Sequence, residues 1–319
     1  MELTLAAWHF QLFPDQASTF AARVDALFFF LMGITAFFSI LIAGLIVFFS
    51  FKYRRSVSPA TKPRSEPMWL ELTWTLIPLC ISMVIFVWGA SVFASAHYPP
   101  ADAMDIYVVG KQWMWKAQHP QGRREINELH IPTGRPIRLI MTSQDVIHDF
   151  YIPAFRVKQD VLPGRYTSEW FEATEPGEYH LFCAQYCGTS HADMIGTVVV
   201  MEPSKYAAWL AGSPTGQSML ESGEALYRQF GCNACHGTKA PTLAGLFDSI
   251  RKLENGQTVR ADESYLRESI LAPRAKVAVG YQTIMPTYKG QLNEEQLAQI
   301  IEYIKSLRAF HLPEPEKKP

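Results

Sequence analysis

Two stretches without a single charged residue decide what this chain can fold into. The first runs from Ala26 to Phe51 (ALFFFLMGITAFFSILIAGLIVFFSF) and the second from Leu72 to Tyr98 (LTWTLIPLCISMVIFVWGASVFASAHY). A helix needs roughly 20 apolar residues to cross the hydrocarbon core of a bilayer, and both runs exceed that. The first is too long for the apolar part of a cleaved leader and is not followed by a small-residue cleavage site and a polar start. A transmembrane hairpin over residues 26–98 is therefore expected. Its connecting loop, 52–67, carries Lys52, Arg54, Arg55, Lys62 and Arg64 against Glu66 alone, which marks a cytoplasmic loop. The lead-in 1–25 and everything after Tyr98 then lie on the opposite side, periplasmic for the inner membrane of a bacterium.

Beyond the hairpin the pattern changes twice. From residue 99 to 203 the sequence alternates with period two between Pro, Gly and Asp clusters. IYVVGKQWMWKA, EINELHI, PIRLIMTS, RYTSEWFEA, GEYHLFC and IGTVVVM read as strands of an all-β Greek-key sandwich or barrel. Residues 204–218, ending in GSPTGQS, read as a linker. From Tyr206 onward the pattern is helical, first in AAWLAG and then through a domain at 219–319, clearest in Leu292, Leu297, Ile300, Ile301, Ile304 and Leu307. The expected fold is thus a multidomain membrane protein with a two-helix hairpin, an all-β domain and an all-α domain. A net charge of −1 offers nothing to a nucleic acid.

The β domain ends in CAQYCGTSHADM, which holds Cys183, Cys187, His191 and Met194. Cysteines four apart can form a disulfide in an oxidising compartment, and two thiolates with imidazoles can hold zinc. Thioether sulfur suits copper better than zinc. A second imidazole is available from His148, in TSQDVIH, and two thiolates with two imidazoles can bridge two copper ions. The α domain opens on GCNACHG, with Cys232, Cys235 and His236 in the C-x-x-C-H spacing of c-type haem attachment. A thioredoxin-like redox pair would require a preceding strand, whereas ALYRQF reads as helix. After His236 the chain has one methionine, Met285, and one further histidine, His311; either can be the second axial ligand. Cys80, beside Pro78 in the second apolar run, reads as a small buried residue, which leaves no cysteine for a disulfide.

The pattern C-x-[EQ]-x-C-x-x-x-H-x-x-M with a distant upstream His resembles the CuA site of the cytochrome c oxidase subunit II family, and the order hairpin then β domain resembles it too. The resemblance implies a cupredoxin-like fold for 99–203. It implies that His148, Cys183, Cys187, His191, Met194 and the carbonyl of Gln185 hold a binuclear copper centre. The family's common residue at 185 is Glu, whose side chain reaches a magnesium ion at the contact with subunit I; Gln185 keeps the carbonyl and loses the charge. KQWMW resembles the aromatic patch over the copper, with Trp113 as the point of electron entry, although such a pair also suits plain core packing. LELTWTLIP resembles the start of the second helix, where Glu71 matches an acid at the mouth of a proton channel. Asp145, Lys158, Asp160 and Arg165 match charged positions read as structural or docking.

The order C-x-x-C-H, Met285-Pro286 and a final amphipathic helix resembles a class I cytochrome c, with His236 and Met285 as axial ligands and Pro241 and Leu243 packing beside the haem. Together these imply subunit II of a caa-type oxidase with a fused cytochrome c domain. Electrons would pass from a cytochrome c or other donor through haem c and copper to subunit I, where oxygen is reduced with proton pumping. Subunit III and membrane lipid complete the implied partners. His97 is the sole histidine of the two apolar runs, so oxygen chemistry belongs to the partner subunit. The rival expectations are a CuA-containing nitric oxide reductase subunit and a metal-free assembly subunit.

Overall fold

The computed structural model describes residues 13–54, 67–212, 217–237 and 239–307. His311, Arg55, Lys62 and Arg64 of the basic loop and 213–216 of the expected linker lie outside them. Helix α1 spans Ala21–Lys52 and α2 spans Met68–His97. Their most apolar windows have mean hydropathies of 2.5 and 2.3 and bury nothing inside the chain. Phe37, Ile40 and Phe86 stand out among many bulky side chains left bare. Such a surface is stable only against lipid or another membrane helix.

Helix α1 begins five residues before the uncharged run and includes Arg23 and Asp25. Asp25 receives Nε (2.8 Å) and Nη2 (2.9 Å) of Arg156 from the β domain. The lead-in is part of that domain's packing: Ser18 Oγ donates to the carbonyl of Phe155, and Ala17 and Phe20 are buried in its core. At the matching end of α2, Trp170 Nε1 donates to the carbonyl of Ser95. The hairpin is thereby fastened to the β domain at both helix ends.

The β domain is a sandwich of two five-stranded sheets. The strands are β1 Met104–Lys111, β2 Met114–Gln118, β3 Arg124–Ile126, β4 Glu128–Pro132, β5 Pro136–Ser143, β6 His148–Ile152, β7 Val157–Val161, β8 Thr167–Glu172, β9 Gly177–Cys183 and β10 Ile195–Met201. One sheet has the order β3-β2-β1-β5-β8, the other β4-β10-β9-β6-β7. The β1–β5 and β4–β10 pairs are parallel and the rest antiparallel. The inward residues Ile106, Val108, Trp115, Leu139, Met141, Phe150, Phe171, Leu181 and Val198 fill the space between the sheets.

Two of the expected strands are divided. IYVVGKQWMWKA is two strands folded back at Gln112–Trp113, and EINELHI is two strands broken at Asn127, whose φ of 58° lies in the left-handed region. His148 opens strand β6. AAWLAG lies in helix α3, Pro203–Ala211, which takes up much of the expected linker 204–218 and is seated on the β domain. Tyr206 is buried in that domain's core, and its hydroxyl lies 3.1 Å from Nδ1 of His119. Trp209 stacks on His130 at 4.4 Å, and Glu125 is hydrogen-bonded to both histidines. Buried aromatic area and a satisfied carboxylate outweigh the turn-forming composition that follows.

The α domain comprises α4 Met219–Gln229, a short hairpin of β11 Ile250–Lys252 and β12 Thr258–Arg260, α5 Glu263–Leu271 and α6 Glu294–Ser306. Helices α4 and α6 begin with capping boxes at Ser218 and Asn293. They cross at Gly223, where an added Cβ would stand 2.0 Å from the Gln299 carbonyl oxygen. Gly223→Ala is therefore expected to destabilise this domain by about 3 kcal/mol or more, since overpacking against backbone has no side chain to displace. Thermal unfolding followed by circular dichroism checks this, with the half-buried neighbour Ser222→Ala as control; equal midpoints for the two variants would refute the close crossing.

The two domains meet through a network of ions. Arg138 on β5 binds Asp105 through two bonds of 2.7 Å and Glu263 at 2.9 Å. Lys305 on α6 reaches Asp105 (2.7 Å), Glu302 (3.1 Å) and Glu263 (3.3 Å), and the Tyr107 hydroxyl donates to Glu302. Burial alone would raise the Asp105 carboxyl, but the Arg138 hydrogen bonds and the Lys305 charge outweigh it and hold it below the usual range. Met219 completes the contact, fully buried with Tyr107, Ile140 and Ala298.

Candidate metal centres

Strand β9 delivers Cys183, and the chain returns to β10 through a loop closed by the Cys183 amide donating to the Met194 carbonyl (3.1 Å). Within it, the His191 amide donates to the Gly188 carbonyl, opening a single 3-10 turn over His191–Asp193. This compact return brings the donors together. The two Sγ atoms are 3.7 Å apart, with His191 Nδ1 3.5 Å and Met194 Sδ 3.8 Å from Cys187 Sγ. The Gln185 carbonyl lies 3.2 Å and His148 Nδ1 3.9 Å from Cys183 Sγ. A disulfide needs about 2.05 Å between sulfurs, so the thiols are not bonded, and none of the described cysteines is in a disulfide.

Two sulfurs, two imidazoles, a thioether and a carbonyl thus ring one small volume. Its heart is dry, since His148 and Met194 are fully buried. Burial opposes charge at both thiols. Hydrogen bonding, first from His148, overcomes it at Cys183 and brings that thiol down to about 7. At Cys187 burial and the adjacent Cys183 act together and push it up to about 12. Such a site loses its second proton readily only to a metal cation, and this soft set suits copper.

The neighbours aim these donors. Asp145 Oδ1 lies 2.8 Å from His148 Nε2, which occupies that nitrogen with the ring proton and turns the Nδ1 lone pair toward Cys183. Asp145 is itself held by the amides of Gln112 and Val146, both at 2.7 Å. Trp115 packs edge-on against His148 at 5.8 Å. A side chain at Gly110 would strike the His148 ring at 2.9 Å, so glycine leaves room for the imidazole. Gln112 Nε2 (2.8 Å) and Trp113 Nε1 (3.3 Å) both donate to the Cys187 carbonyl, placing Trp113 on the loop.

Sequence reasoning put Asp145 among structural positions and passed over Gln112 and Trp115. The available signal was an acid three residues before His148 in QDVIH. Lys158 and Asp160 stand exposed on the edge strand β7. Glu71 lies in the first turn of α2, exposed. It is 24 residues before Ser95 on the same helix, about 36 Å along the axis, so the fold does not bring it to the copper-type site.

The second cluster sits on a 3-10 turn, Cys232–Ala234, entered through Gly231 in the left-handed region (φ 70°). The Cys232 carbonyl accepts from the amides of Cys235 (3.3 Å) and His236 (3.1 Å), which folds C-x-x-C-H into a tight knot. His236 Nδ1 lies 2.9 Å from the Pro241 carbonyl, so that nitrogen carries the proton and Nε2 is free to bind a metal. Cys232, His236 and Met285 line one apolar cleft, with Leu243, Leu246, Leu266, Ile270, Ile300 and Ile304 on its walls. Cys235 is exposed beside it. Arg251 Nε and Ser269 Oγ are buried in the same wall without a hydrogen-bond partner among the described residues. Buried polar atoms without partners are rare, and a flat apolar ligand with anionic side groups would satisfy both. The residues present fit a haem.

Comparison with known proteins gives three family matches in the same order. Residues 6–92 match the model for the transmembrane domain of cytochrome c oxidase subunit II, and 83–202 match that for its periplasmic domain. Residues 220–308 match cytochrome c. The chain is similar to cytochrome c oxidase subunit 2 of Alkalihalophilus pseudofirmus, at 29% identity over 87% of this chain and 85% of that one. It is also similar to cytochrome c oxidase subunit 2 of a Synechocystis species, at 28% identity over 66% of this chain and 79% of that one. Among solved structures, the periplasmic domain of subunit II of the Bradyrhizobium japonicum cytochrome oxidase matches at 32% identity, covering 36% of this chain and 95% of that one with a TM-score of 0.35.

Proposed function

This chain belongs to the cytochrome c oxidase subunit II family and carries a cytochrome c domain, and from that premise we propose how it performs electron entry to a terminal oxidase. Haem–copper oxidases are oxidoreductase complexes, and subunit II is their electron-entry subunit; the family domains imply copper and haem. In our reading Cys183, Cys187, His148, His191, Met194 and the Gln185 carbonyl hold a binuclear CuA centre. Cys232 and Cys235 would attach haem c, and His236 and Met285 would hold its iron. Bound there, the haem iron and the copper pair each supply one-electron redox chemistry, which relays electrons from a donor toward subunit I, the site of oxygen reduction and proton pumping.

The chain's own residues make these sites selective. Asp145 fixes the His148 tautomer, Trp115 and Gly110 fix its ring, and the buried Met194 keeps water from the sulfurs. Gln112 and Trp113 pin the Cys187 carbonyl, which makes Trp113 the natural path for electrons into the loop. Pro241 fixes the tautomer of His236. We place the β and α domains on the periplasmic side, opposite the basic loop, with Glu71 at the cytoplasmic end of α2 near a proton-channel mouth. Subunits I and III and lipid would cover the bare faces of the hairpin. Gln185 lacks the charge for a magnesium contact through its side chain.

The observation that carries this reading is the convergence of two imidazoles, a thioether and a backbone carbonyl, drawn from β6 and the 183–194 loop, on two unbonded thiols. A metal-free assembly subunit would have no use for that arrangement. An absorption spectrum of the purified full-length chain in detergent tests it. Haem c bands together with mixed-valence copper absorption, at two coppers and one covalent haem per chain, are expected; fewer than two coppers would sink the copper assignment. Turnover of the intact complex with oxygen against nitric oxide separates an oxidase from a nitric oxide reductase.

A further inference from the structure

One cluster of metal-binding side chains lies outside the two centres described above. A ring nitrogen of His130 and one carboxylate oxygen each of Glu125 and Glu128 lie within 4.8 Å of one another. The local backbone brings them together. Along an unbroken strand, alternation would put positions 125 and 128 on opposite faces. Between β3 and β4, however, Asn127 turns the chain through the left-handed region (φ 58°). Three hydrogen bonds pin that turn. The Asn127 amide donates to the Trp115 carbonyl (2.8 Å), its side-chain oxygen accepts from the Trp115 amide (2.8 Å), and its carbonyl accepts from the Thr197 amide (2.9 Å). Glu128 and His130, two apart on β4, share a face of that strand.

The two carboxylates are in different situations. Glu125 is buried, with one oxygen 2.7 Å from Nε2 of His119 and the other against Nδ1 of His130. Burial alone would raise its carboxyl, but the hydrogen bonds from His119 and His130 hold it below the usual range, as an anion. Glu128 is exposed and makes no hydrogen bond or ion pair among the described residues. The neighbouring cation, Arg123, is held elsewhere, 3.7 Å over the Trp209 ring and donating to the Trp209 carbonyl (2.7 Å). Two negative charges are thus left beside an imidazole, one of them with no partner. The surroundings already hold these groups in place. The Tyr206 hydroxyl fixes His119, and Trp209 stacks on His130. A ligating carboxylate that is itself hydrogen-bonded, and an imidazole held in orientation, are the outer supports that metal ligands need.

We propose that Glu125, Glu128 and His130 form a separate metal site that takes one zinc ion, with water as the fourth ligand. One imidazole and two carboxylates fall within the donor range of zinc. The set lacks the sulfur that soft copper prefers and the all-oxygen cage that calcium or magnesium requires. Zinc bonds of about 2.0 Å place tetrahedral ligands roughly 3.3 Å apart. Donors already within 4.8 Å of one another close on such an ion by small side-chain rotations. The ion replaces the proton shared by His130 Nδ1 and Glu125, which leaves to solvent, and the exposed Glu128 completes the protein ligands. His119 keeps its bond to the other oxygen of Glu125. Because Trp209 rests on His130, bound zinc also stiffens the seat of α3, the helix that leads toward the α domain. The proposal stands apart from the copper and haem readings.

The test uses the full-length chain in its complex, washed with a weak chelator and equilibrated with zinc chloride by dialysis. Wild type is compared with Glu128→Gln, which removes one ligand at an exposed position; circular dichroism confirms that the variant is folded. Elemental analysis is expected to find one more zinc per copy of this chain in wild type. The affinity of the variant should be weaker by at least about tenfold, since even outer partners of a metal are worth that much. Copper and haem contents should be the same in both. Zinc-edge X-ray absorption then identifies the ligands of the ion that distinguishes the two samples. Nitrogen and oxygen at about 2.0 Å with imidazole scattering are expected, whereas a zinc–sulfur distance of about 2.3 Å would place the ion on cysteines instead. Equal zinc in the two samples, sulfur in the shell, or a shell without imidazole would overturn the proposal and leave the copper and haem readings untouched.

Discussion

Chains carrying Cys183→Ser and Cys187→Ser together are expected to contain no stoichiometric copper and to deliver electrons to oxygen at least about a thousandfold more slowly. A serine hydroxyl is a hard donor that stays protonated, so neither bridging sulfur is replaced, and without them the remaining imidazoles and thioether hold a copper ion only loosely. The fold should survive, because the changes are nearly isosteric and the two cysteines are a small part of a sandwich core built mainly from other residues. Copper analysis with circular dichroism of the same sample separates loss of metal from loss of fold. A graded companion is Asp145→Asn, which leaves all six donors in place and disturbs only the proton on His148 Nε2. Changes to such outer partners weaken metal affinity by about 10- to 100-fold. Two coppers retained in the double serine variant would remove the basis for the centre.

At the other centre, Cys232→Ser with Cys235→Ser should abolish covalent haem altogether, seen as loss of haem staining from the denatured chain. Met285→Leu asks a finer question. The haem should stay attached through both cysteines and His236 but lose its sixth ligand, giving a high-spin spectrum and a lower reduction potential, because Met/His ligation is what raises it. By sequence His311 competes with Met285 for that position. Met285 lies on the same cleft as His236, whereas His311 is outside the described residues. An unchanged low-spin spectrum in Met285→Leu would turn the assignment away from Met285.

Much of this molecule was legible as local pattern. Hydropathy marks a hairpin because bilayer thickness imposes a length, and alternation marks strands because one face must be buried. C-x-x-C-H and the 183–194 spacing are visible because their donors are close in the chain, where a short loop alone brings them together. Two kinds of feature were less legible. Left-handed Asn127 and the reversal at Gln112–Trp113 each split what alternation reads as one strand. Helix α3 was legible in AAWLAG but its seat was not, since what holds it is Tyr206 and Trp209 packing on His119 and His130, far back in the chain.

The sequence by itself determined the ligand types, their spacing and the order of hairpin, β domain and α domain, because each depends on neighbours within a few turns or strands. Only the tertiary structure decided which way those ligands point. It set Asp145 behind His148, Gln112 and Trp113 on the Cys187 carbonyl, and Asp25 under Arg156. It also docked α6 on β1 through Lys305 and Asp105. Each of these pairs residues whose meeting depends on sheet register and helix crossing. Those are set by the packing of the whole core, which no short stretch of sequence encodes.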